Sequence, residues 1–302
     1  MVILLTYSAE NDILRRIKHT SEVYMIKIFV DSGSSIKLSE KVKYGVEIIP
    51  LKIFLDGKEY TDGVDLPFDE FYHALIDKKL FPTTSLPTPA DSKAAVDAAL
   101  AEGHEVIILT ISSGISGTYN AFRLLFADEP RVRVIDTKTA VGGVRILAME
   151  AAKHLDKPLD FVVEKICALI PRIKIVAIPD TLDYLQRGGR LSKTAWVFGS
   201  ILQLKPFITI STKTGLVGVI NKERGRARAM QVLSGYLEKL GCDTNYPIVP
   251  SYTYNSKNLD ELIAMTDEKY KAVMTEYDNL DPAIACHWGP GAYGYIFVGD
   301  AE

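Results

Sequence analysis

The segment Ser112-Ser113-Gly114-Ile115-Ser116-Gly117-Thr118-Tyr119 has the residue types of an anion site. It follows an apolar run at residues 106–111 and precedes a helical pattern, so it marks a strand-to-helix turn. Free N–H groups at a helix start carry a positive dipole end, and Gly114 and Gly117 let a ligand approach the backbone closely. Ser113, Ser116 and Thr118 add hydroxyls. The same residues would also serve as a plain helix N-cap whose small side chains only permit packing. The segment lacks the G-x-S-x-G of a nucleophile elbow and the terminal Gly-Lys-Ser/Thr of a P-loop.

Three more segments carry polar groups in fixed surroundings. Pro82, Pro87 and Pro89 constrain the chain that presents Thr84, Ser85 and Thr88, although a surface turn is the ordinary explanation. In Leu185-Gln186-Arg187-Gly188-Gly189-Arg190-Leu191, two glycines give the Arg190 guanidinium access to a crevice, where it could fork onto a carboxylate or phosphate. A solvated arginine after a helix C-cap glycine is the alternative. His287 precedes Trp288-Gly289-Pro290-Gly291, and a buried, satisfied histidine accounts for it equally well. A serine hydrolase would need a histidine base oriented by an acid, and no spacing here supplies that set.

Alternating strand-like and helix-like stretches must position these groups, which predicts an α/β architecture. Strands are expected at 26–30, 46–51, 106–111 and 131–136, and helices at 68–78, 91–101, 142–154 and 159–169. Asp56-Gly57 predicts a hairpin between 52–55 and 58–61. The proline-rich stretch 82–89 is expected to hold no regular structure. Beyond about residue 171 the pattern gives strands at 174–178, 207–210, 217–220, 248–253, 272–277 and 293–298. Helices are expected at 180–186, 192–200, 226–240 and 258–269. The first half thus reads as an open, mainly parallel sheet, and the second as a mixed sheet with an antiparallel pair around Thr214-Gly215.

Composition narrows the function classes. The chain has 302 residues, 47% hydrophobic and 24% charged, with a formal net charge of -3 and no basic run, which disfavours nucleic-acid binding. Cys167, Cys242 and Cys286 are scattered, and the five histidines show no ligand spacing, so neither a disulfide framework nor a metal site is expected. A reducing cytoplasm fits best. Residues 1–24 lack a signal-peptide leader and a membrane-length apolar run, and read as an extension before a globular unit that starts at Met25.

Taken together, the four polar segments resemble the DegV family of bacterial lipid-binding proteins. Val30-Asp31-Ser32, Ile49-Pro50-Leu51, Tyr60-Thr61-Asp62-Gly63 and Thr84-Ser85-Leu86-Pro87-Thr88-Pro89 carry the resemblance. So do the serine-rich loop, Leu185 through Arg190, Lys205-Pro206, and His287 with Gly289-Pro290-Gly291. It implies a two-domain α/β fold, with a mainly parallel N-terminal domain at 25–170 and a mixed or antiparallel C-terminal domain at 171–302. It also implies a long-chain fatty acid in an apolar tunnel, presented to a separate fatty acid kinase for conversion to acyl-phosphate. The protein itself would then be a carrier without cofactor or metal. Thr84, Ser113, Ser116, Arg190 and His287 would hold the carboxylate at the interdomain crevice, supported by Ser85, Gly114 and Gly117. Lys222 and Arg224 would face the kinase. Leu86, where relatives often carry glutamine, Pro250-Ser251-Tyr252, where many carry histidine, and the bulky Trp288 depart from the family pattern. The competing readings are an independent serine hydrolase or phosphate-handling enzyme, and a regulatory or nucleic-acid-binding protein.

Overall fold

Residues 26–31 and 105–110 are apolar on both faces because the sheet they build is covered on both sides. The computed structural model describes residues 25–191 and 204–302; the expected extension at 1–24 and the expected helix at 192–200 lie outside the described residues. Strands β1 (Ile26–Asp31), β2 (Val46–Ile49), β6 (Glu105–Thr110) and β7 (Val132–Asp136) form a parallel sheet in the order β2-β1-β6-β7. Side chains alternate across it. Ile28, Val30, Ile107 and Leu109 face one core, while Phe29, Val106 and Ile108 face another with Val96, Leu100 and Phe122. The second core is closed by the helices Pro89–Ala101 and Thr118–Leu125.

A six-stranded sheet makes up most of the remainder. Its strands are β8 (Ile173–Ile178), β9 (Leu204–Ile210), β10 (Val217–Arg224), β11 (Val249–Tyr252), β12 (Asp278–Asn279) and β13 (Tyr293–Val298), ordered β10-β9-β8-β13-β11-β12. All pairs are antiparallel except β11 with β12. Ile173, Ile175, Ile296 and Val298 point into the same core as Ile28 and Ile107, whereas Val176, Tyr295 and Phe297 point into a core with Leu233, Leu237 and Leu262. The helices Gly142–Ala152 and Leu159–Leu169 therefore form a layer shared by both sheets. Gly142–Ala152 is buried almost all round, and a Cβ on Gly142 would come within 2.9 Å of Val249. The α/β class, with one parallel and one mixed sheet, matches the expectation.

A third sheet was only half expected. The hairpin β3 (Lys52–Leu55) and β4 (Lys58–Thr61) forms as predicted around Asp56-Gly57, but β5 (Thr83–Ser85) adds to its other edge. The stretch 82–89 therefore does hold regular structure. The strand residues Thr83–Ser85 lie between Pro82 and Pro87 and keep their N–H donors, and Pro89 opens a helix at a position where no donor is needed. Other departures are local. The expected strand at 272–277 is turns with one isolated bridge, Ile248 to Met274. The expected helix 226–240 divides at Gly235, and 258–269 divides after Ala264. Among the described residues, no helix is long and apolar enough to cross a membrane.

Candidate functional site

An apolar cavity of about 350 Å³ opens where the serine-rich loop, β5, the residues after the helix Asp183–Arg187 and the helix Pro282–Trp288 converge. Leu51, Ile111, Ala140, Ile210, Val217 and Ile284 supply its apolar wall. Thr84, Ser85, Ser116, Arg190 and His287 supply polar groups, and Gly117 also lines it. Such a mix, mostly apolar with few convergent polar groups, is the usual make-up of a ligand site.

The polar groups bridge the two halves of the chain. Thr84 Oγ1 lies 2.9 Å from His287 Nε2. Arg190 Nε donates to the Ile115 carbonyl at 3.0 Å, and its Nη1 donates to the Gly188 carbonyl. Burial, then the nearby Arg190 charge, pushes the His287 pKa down to about 4, so the ring is neutral near pH 7. Its Nδ1 is buried without a hydrogen-bond partner among the described residues. Burial also pulls Arg190 below the usual guanidinium value. Gly188 makes room for the imidazole, since a Cβ there would sit 2.3 Å from His287 Nδ1.

The serine-rich loop is not an open cradle of N–H groups. Ser113 N–H goes to Asp136 Oδ1, Gly114 N–H to Ser112 Oγ, Ile115 and Ser116 N–H to the Ser112 carbonyl, and Thr118 N–H to Ser116 Oγ. Short polar side chains fold back on their own backbone, as they do at many turns. Ser116 Oγ nevertheless lines the cavity, 2.9 Å from Thr118 Oγ1. Ser113 does not line it: its hydroxyl donates to Asp136 Oδ2 and accepts from Lys138 Nζ at 3.1 Å. Burial raises the Asp136 pKa, but bonds from Lys138 and Ser113 outweigh it and hold the carboxylate low. Gly114 packs against the β9–β10 turn, where a Cβ would come 2.4 Å from the Gly215 carbonyl, and Ser112 Oγ donates to that same oxygen at 2.8 Å.

Sequence reasoning missed a support shell. Asp62 Oδ1 accepts from the Ala283 N–H at 3.1 Å, at the start of the helix that carries His287, and its Oδ2 accepts from Ser32 Oγ at 2.6 Å. Asp31 accepts from the Ile111 N–H at 2.8 Å and fixes the strand end before the serine-rich loop. Both aspartates stand in motifs noted above, but spacing gave them no role. Lys222 and Arg224 lie on the edge strand β10, which contributes Val217 to the cavity and carries them away from it. Among the described residues, no three His, Cys, Asp or Glu side chains group as metal ligands.

Residues 25–300 match the family model of the uncharacterised DegV family. A DegV domain-containing protein of Caldanaerobacter subterraneus is 32% identical over 277 residues, covering 90% of this chain and 98% of that one. A stearic acid-binding protein from Eubacterium ventriosum has a similar structure, with TM-score 0.78 and 28% identity over 91% of this chain and 98% of that one. A DegV family protein from Thermus thermophilus, described for its fatty acid binding, gives 0.80 at 27% identity over 91% and 100%.

Proposed function

The chain belongs to the DegV family, and from that premise we propose that it binds one long-chain fatty acid, tail in the apolar cavity and carboxylate among Thr84, Ser116, Arg190 and His287. One observation carries the reading: an arginine, a histidine and two hydroxyls from both halves of the chain meet at the wall of an otherwise apolar cavity. Burying a methylene gains about 0.8 kcal/mol, so the tail supplies the affinity. A buried carboxylate costs several kcal/mol unless it is paired and hydrogen-bonded, so the polar cluster prevents a loss. Ser85 and Gly117 complete the wall beside the headgroup. Ser113, expected as a fifth contact, acts in this reading through Asp136 and Lys138 to hold the loop that carries Ser116, with Gly114 seating that loop on the second sheet.

The carrier would present the carboxylate to a separate fatty acid kinase in the cytoplasm, and the same donors suit the added charge of an acyl-phosphate. The lobes in this scheme are residues 25–170 and 171–302, and Lys222 and Arg224 on the edge strand would meet the kinase. An independent hydrolase is the less favoured reading: Thr84 and His287 form a pair, but among the described residues no acid orients the Nδ1 side of the ring. Lipid extraction and mass spectrometry of the purified protein should recover fatty acid near one equivalent. Protein that is repeatedly empty and takes up no added fatty acid would refute the proposal.

A further inference from the structure

A second, smaller void of about 20 Å³ lies beneath the six-stranded sheet, lined by Val141, Ile175, Ala177, Leu280, Ala292 and Ile296, and Trp288 lines it together with the large cavity. We propose that the Trp288 indole is the end wall of the ligand cavity and sets the length of acyl chain that the protein accepts. This deepens the fatty-acid reading above and rests on it.

The helix Pro282–Trp288 places consecutive side chains about 100° apart. His287 thus reaches Thr84 at the polar end, while Trp288 is directed into the core shared by the two sheets. Trp288 is buried, 8% exposed, among Ala140, Val141, Leu185, Ile284 and Ala292. Ala140 lines the large cavity and its neighbour Val141 lines the small void, so both chain and indole pass between the two spaces. The void's other walls include the small Ala177, Ala292 and Gly294 beside Ser251, Tyr252, Tyr293 and Tyr295. Trp288 is the residue that lines both spaces. A tail whose terminal methyl meets the indole is fully buried. A longer one must bend, displace the indole or leave its carboxylate short of Arg190.

The test compares affinities of delipidated wild type, Trp288→Phe and Trp288→Leu for straight-chain saturated fatty acids of increasing length. Affinity in wild type should rise about fourfold per methylene and then stop rising at a definite length. In Trp288→Leu the stop should move out by about two methylenes, so that the acid of that length binds about tenfold tighter relative to wild type. Trp288→Phe, which keeps a ring in the wall, should move it less and serves if the leucine variant folds poorly. An identical stop in wild type and both folded variants would overturn the end-wall assignment and leave fatty-acid binding standing. Absence of binding in wild type itself would remove the fatty-acid reading and this inference with it.

Discussion

Thr84 and His287 stand 203 positions apart in the chain and 2.9 Å apart in space, and the neutrality of that imidazole governs the behaviour of the site. Burial lowers its pKa from an ordinary 6.5 to about 4. A bound carboxylate would favour the imidazolium and raise that value, so binding should take up a proton at mildly acidic pH. NMR titration of His287 should give a midpoint near 4 in delipidated protein and a higher one in loaded protein; equal midpoints would remove the carboxylate from its vicinity. The same depression acts on stability. Between pH 6.5 and 4 the unfolded chain binds a proton at His287 that the folded chain refuses, so this contribution is present above 6.5 and is lost as pH falls. Asp31 and Asp281, raised by burial to about 7, act with opposite sign, because stability falls as pH rises towards that value. His287→Gln should therefore flatten the acid-side loss relative to wild type, since the aspartates are common to both. Arg190 is more demanding. Arg190→Ala should weaken fatty-acid binding by about tenfold or more, and Arg190→Lys should not restore it, because an ammonium cannot reproduce the fixed fork. A displacement titration with a fluorescent fatty acid measures both.

Short elements, rather than long ones, aim the site. The helices Asp183–Arg187 and Pro282–Trp288 are five and seven residues, and Gly188 is where they touch. Gly188→Ala should tilt the His287 ring away from Thr84 and reduce fatty-acid affinity about as much as His287→Ala, with little change in unfolding temperature. Unchanged affinity would show that the ring can shift without cost. β5 makes a similar point. The stretch between Pro82 and Pro87 reads as a loop because proline density dominates the local signal, yet the free edge of β3 offered Thr83–Ser85 a ladder. The expected strand at 272–277 failed in the reverse way: an apolar, β-prone run found only one bridge partner. Helix ends at Gly235 and Ala264 were missed because amphipathic spacing continues through them.

At the scale of the molecule, one helix layer serves two sheets, and a buried ionic group fastens the layers together. Arg145, 4% exposed, projects from the helix Gly142–Ala152 to Glu40 at 2.8 Å and to the fully buried Asp278 at 3.8 Å, which also meets Lys37 at 2.8 Å. Removing Arg145 takes the ion pair from Glu40 and leaves the buried Asp278 with Lys37 alone. Arg145→Ala should lower stability by about 3–5 kcal/mol, as read from denaturant unfolding; a loss under 1 kcal/mol would mean that the group behaves as a surface pair.

The sequence by itself determined the α/β class, the parallel run of β1, β6 and β7, the antiparallel pair β9–β10, and a set of polar segments of which four gave the cavity a side chain. Periodicity and small-residue turns encode these locally, and each survives whatever packs against it. Tertiary structure alone decided that Ser116 faces the cavity while Ser113 faces Asp136, that Gly114 and Gly188 are demanded by close approach, and that Trp288 stands between two apolar spaces. Those outcomes depend on atoms far apart in the chain, and spacing within a segment carries no record of them.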